Sequence, residues 1–163
     1  MNARAIIDYL KSERLVLATA ESCTGGEIAA SIIKQGNCGD CVFLGYTLYS
    51  EVAKQKCLGV KPSTIEAHTL TSEAVAREMV KGLSEHEEVN VMIATTGITG
   101  PDPLDGIPPG TVCFAWGFKI KGQLILFSET QQFTGVSTLI IKKAVQHALK
   151  QLPVLHKKSI EGI

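Results

Sequence analysis

Apolar residues recur along the chain in two alternating patterns, one with helical spacing and one almost continuous. Residues 2–13 place apolar side chains three and four positions apart, as at Ile6 and Leu10, which predicts an amphipathic helix. Residues 15–20 form a short and nearly unbroken apolar run, which is typical of a strand buried on both faces. The same alternation continues through the chain and predicts helices interleaved with strands.

The remaining elements follow from the same criteria. Further strands are predicted at residues 42–49, 89–95, 111–118 and 123–129, the last two as a hairpin. Further helices are predicted at residues 25–34, 51–58, 71–84 and 136–152. Residues 97–110 contain four prolines and four glycines and are expected to be irregular. Residues 153–163 are expected to form a frayed polar tail after Pro153.

This order of elements predicts one α/β domain over residues 1–163. Helices alternating with strands, followed by a hairpin, indicate a three-layer α/β/α sandwich over a mixed sheet. The 163 residues are 45% hydrophobic, enough for a sizeable core, and carry no repeat or linker. We therefore expect a single compact domain.

Charge and cysteine content narrow the class of protein. Sixteen basic and sixteen acidic side chains give no net charge, which argues against nucleic-acid and anionic-membrane partners. No stretch approaches a membrane span, and the start lacks the pattern of an export signal. Five cysteines, an odd number, then fit reduced thiols in the cytoplasm. Cys38 and Cys41 form a lone C-x-x-C pair, which is more simply a loop than a redox or zinc motif.

The strongest candidate site is the turn at residues 20–26, AESCTGG, between a strand and a helix. Such turns bind ligands in α/β folds, and the helix that follows offers free backbone N–H groups to an anion. Ser22 is a possible nucleophile and Thr24 a hydroxyl donor. The alternative, that both hydroxyls only cap the helix, stays open at this point.

Two further segments carry possible chemistry. Ser50 and Lys54 would share one face of a helix, so a serine–lysine pair is conceivable there, although a solvated lysine is the simpler interpretation. Residues 95–101, TTGITGP, form a hydroxyl- and glycine-rich turn after a strand. This turn would lie beside the AESCTGG turn, where it either cradles a phosphate or sugar or is only a flexible loop. The four histidines are scattered, so no metal site is predicted.

Five segments occur in an order that resembles the CinA C-terminal domain family: AESCTGG at residues 20–26, Tyr49-Ser50 with Lys54, LGV at residues 58–60, TGITGP at residues 96–101 and PGTV at residues 109–112. That family comprises the nicotinamide-nucleotide amidohydrolases, or nicotinamide mononucleotide deamidases. The resemblance covers roughly residues 2–152 and is to the stand-alone form without a molybdopterin-binding-like domain. It implies hydrolysis of nicotinamide mononucleotide to nicotinate mononucleotide and ammonia in cytoplasmic pyridine-nucleotide salvage, with no metal or cofactor.

The resemblance also assigns roles to residues. Ser22 becomes the nucleophile and Lys54, neutral when desolvated, its base, with Tyr49 relaying or orienting the proton. Contacts to the mononucleotide and the oxyanion are implied for Cys23, Thr24, Gly25, Gly26, Thr96, Gly97, Thr99 and Gly100. Family members often assemble into dimers or larger oligomers, so a homo-oligomer is a further expectation.

Three departures from the family pattern favour an alternative function. Glu51 stands where an asparagine is usual, and Asp102 and Asp105 replace a glycine-rich stretch. The Gly-Asp-Arg that is common before the last helix is absent at residues 135–137. Each change makes the site more negative or less positive. The alternative is a catalytically weak relative that binds a nucleotide or a protein partner.

Overall fold

The computed structural model describes residues 2–162, which form six helices and five strands. In chain order these are α1 (Ala3–Ser12), β1 (Leu17–Glu21), α2 (Glu27–Ile33), β2 (Val42–Thr47), α3 (Glu51–Leu58), α4 (Pro62–His68), α5 (Glu73–Leu83), β3 (Val91–Gly97), β4 (Thr111–Ile120), β5 (Gln123–Gln132) and α6 (Ser137–Glu161). Every element predicted from the sequence is present, with its ends shifted by a few residues at most except at the end of α6. Only α4 is additional.

The five strands form one mixed sheet in the order β2-β1-β3-β4-β5. β1 pairs in parallel with both β2 and β3, whereas β3–β4 and β4–β5 are antiparallel. The chain leaves β1 to form β2 on one side and later returns to form β3 on the other. The carboxyl ends of β1 and β3 therefore flank a topological switch point, where open α/β sheets bind their ligands.

Helices cover both faces of the sheet. α1, α2 and α6 enclose one core, which contains Ile6, Ile28 and Ile140. α3, α4 and α5 cover the opposite face around a second core. Successive residues of β1 alternate between them, since Leu17 belongs to the first core and Ala18 to the second. The predicted three-layer α/β/α sandwich over a mixed sheet is confirmed.

The predicted frayed tail is wrong, because α6 continues through Pro153 to Glu161. A proline inside a helix costs about 3 kcal/mol, so packing must offset it. His156 and Ser159 beyond the proline are buried, and His156 Nδ1 lies 2.8 Å from the Tyr9 hydroxyl of α1. Although α6 has 25 residues, no helix between residues 2 and 162 is long and apolar enough to cross a membrane.

The additional helix α4 begins at Pro62, in a stretch between the predicted helices 51–58 and 71–84 where no element was expected. Proline is favoured at the first position of a helix, where its missing N–H needs no partner. The Glu78 carboxylate of α5 accepts hydrogen bonds from Lys61 N at 2.8 Å and Thr64 Oγ1 at 2.7 Å. These bonds attach the start of α4 to α5.

The buried His156 is expected to make the protein less stable in acid. Burial lowers the pKa of His156, and Glu13 opposes this effect only in part. In the unfolded chain His156 has an ordinary pKa of about 6.5. Below that pH it therefore binds a proton more readily in the unfolded chain than in the folded protein. Stability from this group is complete above pH 6.5 and is lost as the pH falls below it. The loss approaches about 1.4 kcal/mol for each unit by which the pKa is lowered.

Urea unfolding of the wild type and of His156→Gln at pH 7.5 and pH 5 tests this effect. Glutamine keeps a hydrogen-bond partner for Tyr9 but does not titrate. We expect the free energy of unfolding to fall more steeply with acid in the wild type than in the variant. Because the other histidines are present in both proteins, equal pH dependence would contradict the assignment to His156.

Candidate functional site

Ser22 and Lys54 meet at the carboxyl edge of the sheet. Ser22 directly follows β1, and Lys54 lies one turn into α3, which follows β2. The alternation along β1 turns Glu21 toward α2 and Ser22 toward the face covered by α3. Lys54 Nζ lies 3.0 Å from Ser22 Oγ, so the expected pair is brought together. Ser22 is 7% exposed and Lys54 is fully buried.

Burial shifts Lys54 toward its uncharged form, and its hydrogen bonds are compatible with that form. Burial lowers the pKa of Lys54, while Cys23 and Glu51 act in the opposite direction. The amine also donates to the carbonyl oxygens of Leu48 at 2.7 Å and Tyr49 at 3.4 Å. In the neutral form these two carbonyls take both N–H groups, and the lone pair is left for the Ser22 hydroxyl. This arrangement orients Lys54 as a base for Ser22.

Tyr49 contacts the site through its backbone and not through its side chain. The Tyr49 side chain is 81% exposed, and its hydroxyl makes no hydrogen bond to any residue between 2 and 162. Its backbone carbonyl, not its hydroxyl, contacts Lys54. The relay of a proton through the Tyr49 hydroxyl is therefore not supported by this geometry.

The alternative pair of Ser50 and Lys54 is also absent. Ser50 Oγ accepts a hydrogen bond from Ala53 N at 3.1 Å and so caps α3. The exposed Glu51 accepts a hydrogen bond from Gln55 at 3.0 Å. Both side chains are thus engaged at the surface of α3, and Lys54 alone reaches into the site.

The loop after Ser22 presents unused backbone donors. Gly25 and Gly26 have φ values of 62° and 90°, the left-handed region that favours glycine. A side chain at Gly26 would also approach Thr47 Oγ1 to 2.9 Å. Within the described part of the chain, the N–H groups of Cys23 and Thr24 bond to no other residue. These two groups, next to Ser22, are available to an oxyanion.

Glu21 is a central residue of the site that the sequence analysis did not single out. Its carboxylate is fully buried and accepts four hydrogen bonds. The donors are Thr19 Oγ1 at 3.2 Å, Thr24 Oγ1 at 2.7 Å, Ile28 N at 2.8 Å and Ala29 N at 3.1 Å. The start of α2, predicted to be free for an anion, is therefore occupied by a carboxylate of the chain itself. A glutamate immediately before a strand-to-helix turn was the available sequence signal.

Thr24 is likewise engaged inside the protein. Its side chain is fully buried, and its hydroxyl lies 2.8 Å from that of Thr95 at the end of β3. The Thr95 backbone carbonyl accepts the Ser22 backbone N–H at 3.1 Å. The Thr24 hydroxyl is therefore used to anchor the loop inside the protein, and only the Thr24 backbone N–H is left without a partner residue in the described part of the chain.

The turn after β3 lies beside the Ser22 loop, as expected for neighbouring parallel strands. Thr96 is buried, and its hydroxyl donates to the Leu70 carbonyl at 3.0 Å. A side chain at Gly97 would lie 2.6 Å from the Thr111 carbonyl oxygen and 3.1 Å from Cys23 Sγ, so the two loops touch there. Thr99 and Gly100 in this turn are partly exposed.

Cys23 is next to Ser22 but is not a competing nucleophile. Burial raises the pKa of Cys23 to about 12, so the thiol stays protonated at neutral pH. A thiolate is the reactive form of cysteine. Ser22 is therefore the better candidate nucleophile of this turn.

The other candidate sites lack a serine in contact with a buried lysine. A cavity of about 480 Å³ lies between α2 and α6 and includes Ser31 and Lys142 in its lining. Ser31 Oγ donates to the Ile28 carbonyl of its own helix at 2.8 Å, so it is not activated by a base. Residues 2–162 contain no group of three or more metal-ligating side chains. We therefore place the site at Ser22 and Lys54.

Relatives of this chain share its sequence over most of its length. Protein YdeJ of Escherichia coli (strain K12) is 38% identical over 149 residues, 91% of this chain and 84% of that protein. The CinA-like protein of Chlorobaculum tepidum is 39% identical over 116 residues. That match spans 71% of this chain but only 27% of the longer relative.

Solved structures agree with these matches. A CinA superfamily protein from Escherichia coli is 37% identical, with a TM-score of 0.86 over 94% of this chain and 87% of that one. The competence/damage inducible protein CihA from Agrobacterium tumefaciens is 31% identical, with a TM-score of 0.84 over 94% and 93% of the two chains. Residues 2–155 match the CinA C-terminal domain. The AESCTGG turn lies at the topological switch point of this shared fold. Because the match covers nearly the whole chain, the chain belongs to the CinA C-terminal domain family.

Proposed function

We propose that this protein is a serine amidohydrolase that converts nicotinamide mononucleotide to nicotinate mononucleotide and ammonia. The observation that carries the proposal is the 3.0 Å contact between Ser22 Oγ and the buried Lys54 amine. A serine next to a desolvated lysine is an activated nucleophile. Such a pair suits acyl transfer from an amide and needs no metal or cofactor.

The first half of the reaction forms an acyl-enzyme. Lys54 takes the proton of the Ser22 hydroxyl, and Ser22 Oγ attacks the carboxamide carbon. The backbone N–H groups of Cys23 and Thr24 bind the oxygen that becomes negatively charged. The carbon–nitrogen bond then breaks, and Lys54 returns its proton to the departing nitrogen, which leaves as ammonia.

The second half regenerates the enzyme. A water molecule gives a proton to Lys54 and attacks the acyl carbon. Ser22 Oγ leaves with that proton, and the product is a carboxylate. The second half is the reverse of the first half, with water in the place of ammonia. The same two side chains therefore serve both halves.

The identity of the substrate rests on the family resemblance of the AESCTGG, Tyr49–Lys54 and TGITGP segments. Gly25 and Gly26 follow Ser22 in its loop, and Thr99 and Gly100 are partly exposed in the turn after β3; these residues would face the ribose and phosphate. The five cysteines are free thiols, which fits a reducing compartment, and we place the reaction in the cytoplasm.

Ammonia release from nicotinamide mononucleotide by the purified protein tests the proposal. We expect steady release of one ammonia for each nicotinate mononucleotide formed, and none after boiling the protein. Folded protein that binds the mononucleotide without turnover would instead support a binding function. A folded protein that shows no binding and no turnover of the mononucleotide would reject this substrate class.

A further inference from the structure

We propose that Glu21 is a positioning residue for Ser22, a built-in anion that holds the nucleophile loop in its reactive geometry. The proposal rests on the amidohydrolase function above. Glu21 touches neither Ser22 Oγ nor Lys54, and it acts through the segments that lie on each side of Ser22. Three features of the network around its carboxylate support this role.

The first feature is that Glu21 connects the end of β1 with the start of α2. Ile28 N and Ala29 N donate to different oxygens of its carboxylate, at 2.8 and 3.1 Å. The loop that carries Ser22, residues 22–26, lies between these two points. Glu21 therefore fixes the distance between the end of β1 and the start of α2, which is the distance that the loop must span.

The second feature is a chain of hydroxyls that reaches β3. Thr24 donates to the Glu21 carboxylate at 2.7 Å, so its oxygen accepts the proton of the Thr95 hydroxyl at 2.8 Å. The backbone carbonyl of Thr95 separately accepts the Ser22 backbone N–H at 3.1 Å. Ser22 is thus held through its own backbone, and Thr24 through its side chain, at the same residue of β3. The Glu21 network therefore anchors Thr24, and with it the loop that carries the backbone N–H groups of Cys23 and Thr24.

The third feature is that the carboxylate leaves no place for a substrate anion at α2. Glu27 N bonds to the Thr24 carbonyl at 3.0 Å, and Ile28 and Ala29 bond to Glu21. These N–H groups of the first turn are therefore committed within the protein. A carboxylate that satisfies them permanently holds the loop with or without substrate, so the site is preorganised.

Glu21→Gln tests the proposal, with Glu27→Gln as its matched control. Glutamine keeps the size of the side chain, but its amide nitrogen must face a donor, either Ala29 N or Ile28 N, in place of an acceptor oxygen. Glu27 lies in the first turn of α2, the helix whose N–H groups bind Glu21. Its side chain is exposed and forms a surface ion pair with Lys34 at 3.9 Å. Its replacement removes the same charge without touching the network.

The readout is the rate at which a fluorophosphonate labels Ser22, measured per folded molecule, together with kcat and KM. We expect Glu21→Gln to slow labelling and kcat by about 10²-fold, the effect of an ångström-scale displacement of a reacting group. KM should stay close to the wild-type value, and one label should still attach per molecule. Glu27→Gln should label at the wild-type rate.

Substitutions at Thr24 provide the second test, which also covers a Glu21 variant that does not fold. Thr24→Val keeps the shape but breaks the hydroxyl chain and should slow labelling, whereas Thr24→Ser should restore it. The double variant Glu21→Gln with Thr24→Val should be no slower than the slower single variant, because both act on one network.

The outcomes separate this proposal from the proposed function. Wild-type labelling without ammonia release rejects the substrate but leaves the role of Glu21 measurable. A folded Glu21→Gln, or a Thr24→Val, that labels at the wild-type rate overturns the positioning role even if the enzyme is active. A wild-type Ser22 that never labels overturns the nucleophile and this proposal together.

Discussion

Replacing Ser22 with alanine is expected to lower ammonia release by at least about 10⁴-fold, as removal of a serine nucleophile does elsewhere. The loss should be chemical, because the anchoring contacts of the loop do not use the Ser22 side chain. The Ser22 N–H still donates to Thr95, and Lys54 still donates to the Leu48 and Tyr49 carbonyls. The alanine variant should therefore fold and bind the mononucleotide.

Ammonia release and mononucleotide binding by calorimetry, on the same preparations, separate the two effects. Ser31→Ala is the matched control, since it removes another serine hydroxyl, bonded only to the Ile28 carbonyl within α2. We expect normal turnover in the control and intact binding without turnover in Ser22→Ala. Turnover at the wild-type rate in Ser22→Ala would reject Ser22 as the nucleophile.

Part of the fold follows from local sequence because β1 and β3 are short strands that are buried on both faces. Leu17–Glu21 and Val91–Gly97 are buried along nearly their whole length, and such runs are strong signals of central parallel strands. The start of α4 and the end of α6 were missed for one reason. Pro62 and Pro153 stop helices in isolation, but position and packing against other elements determined their effect here.

The site was less accessible to sequence analysis. Ser22 and Lys54 are 32 residues apart, and spacing alone gave no reason to pair them; the family resemblance did. Glu21 was overlooked although its hydrogen-bond donors, Thr19, Thr24, Ile28 and Ala29, are all close to it in the sequence. A glutamate just before a strand-to-helix turn was the signal that the comparison of motifs did not use. Tyr49 contacts Lys54 through its backbone carbonyl, a contribution that a side-chain motif cannot reveal.

Lys54→Met is expected to reduce kcat/KM by about 10³-fold or more, within the range that a general base contributes. Methionine fills the buried space without a proton acceptor. Lys54→Arg should be equally inactive, because a guanidinium stays protonated. Lys56→Met, an exposed lysine two positions along the same helix, is the matched control and should retain full activity.

The pH dependence of the wild type gives the same test without mutation. Burial holds the pKa of Lys54 below its ordinary value of 10.5, and only the neutral amine accepts the Ser22 proton. Activity should therefore rise with pH and level off before 10.5, above the lowered pKa. A kcat/KM that falls as the amine loses its proton would mean that the ammonium is the active form.

The double variant Ser22→Ala with Lys54→Met decides whether the two residues work as one unit. A base has no function in this reaction without the hydroxyl that it deprotonates. The double variant should therefore be no less active than Ser22→Ala alone, as in other nucleophile–base pairs. If the two losses multiplied instead, Lys54 would act on the substrate independently of Ser22, and the 3.0 Å contact would not be the catalytic one.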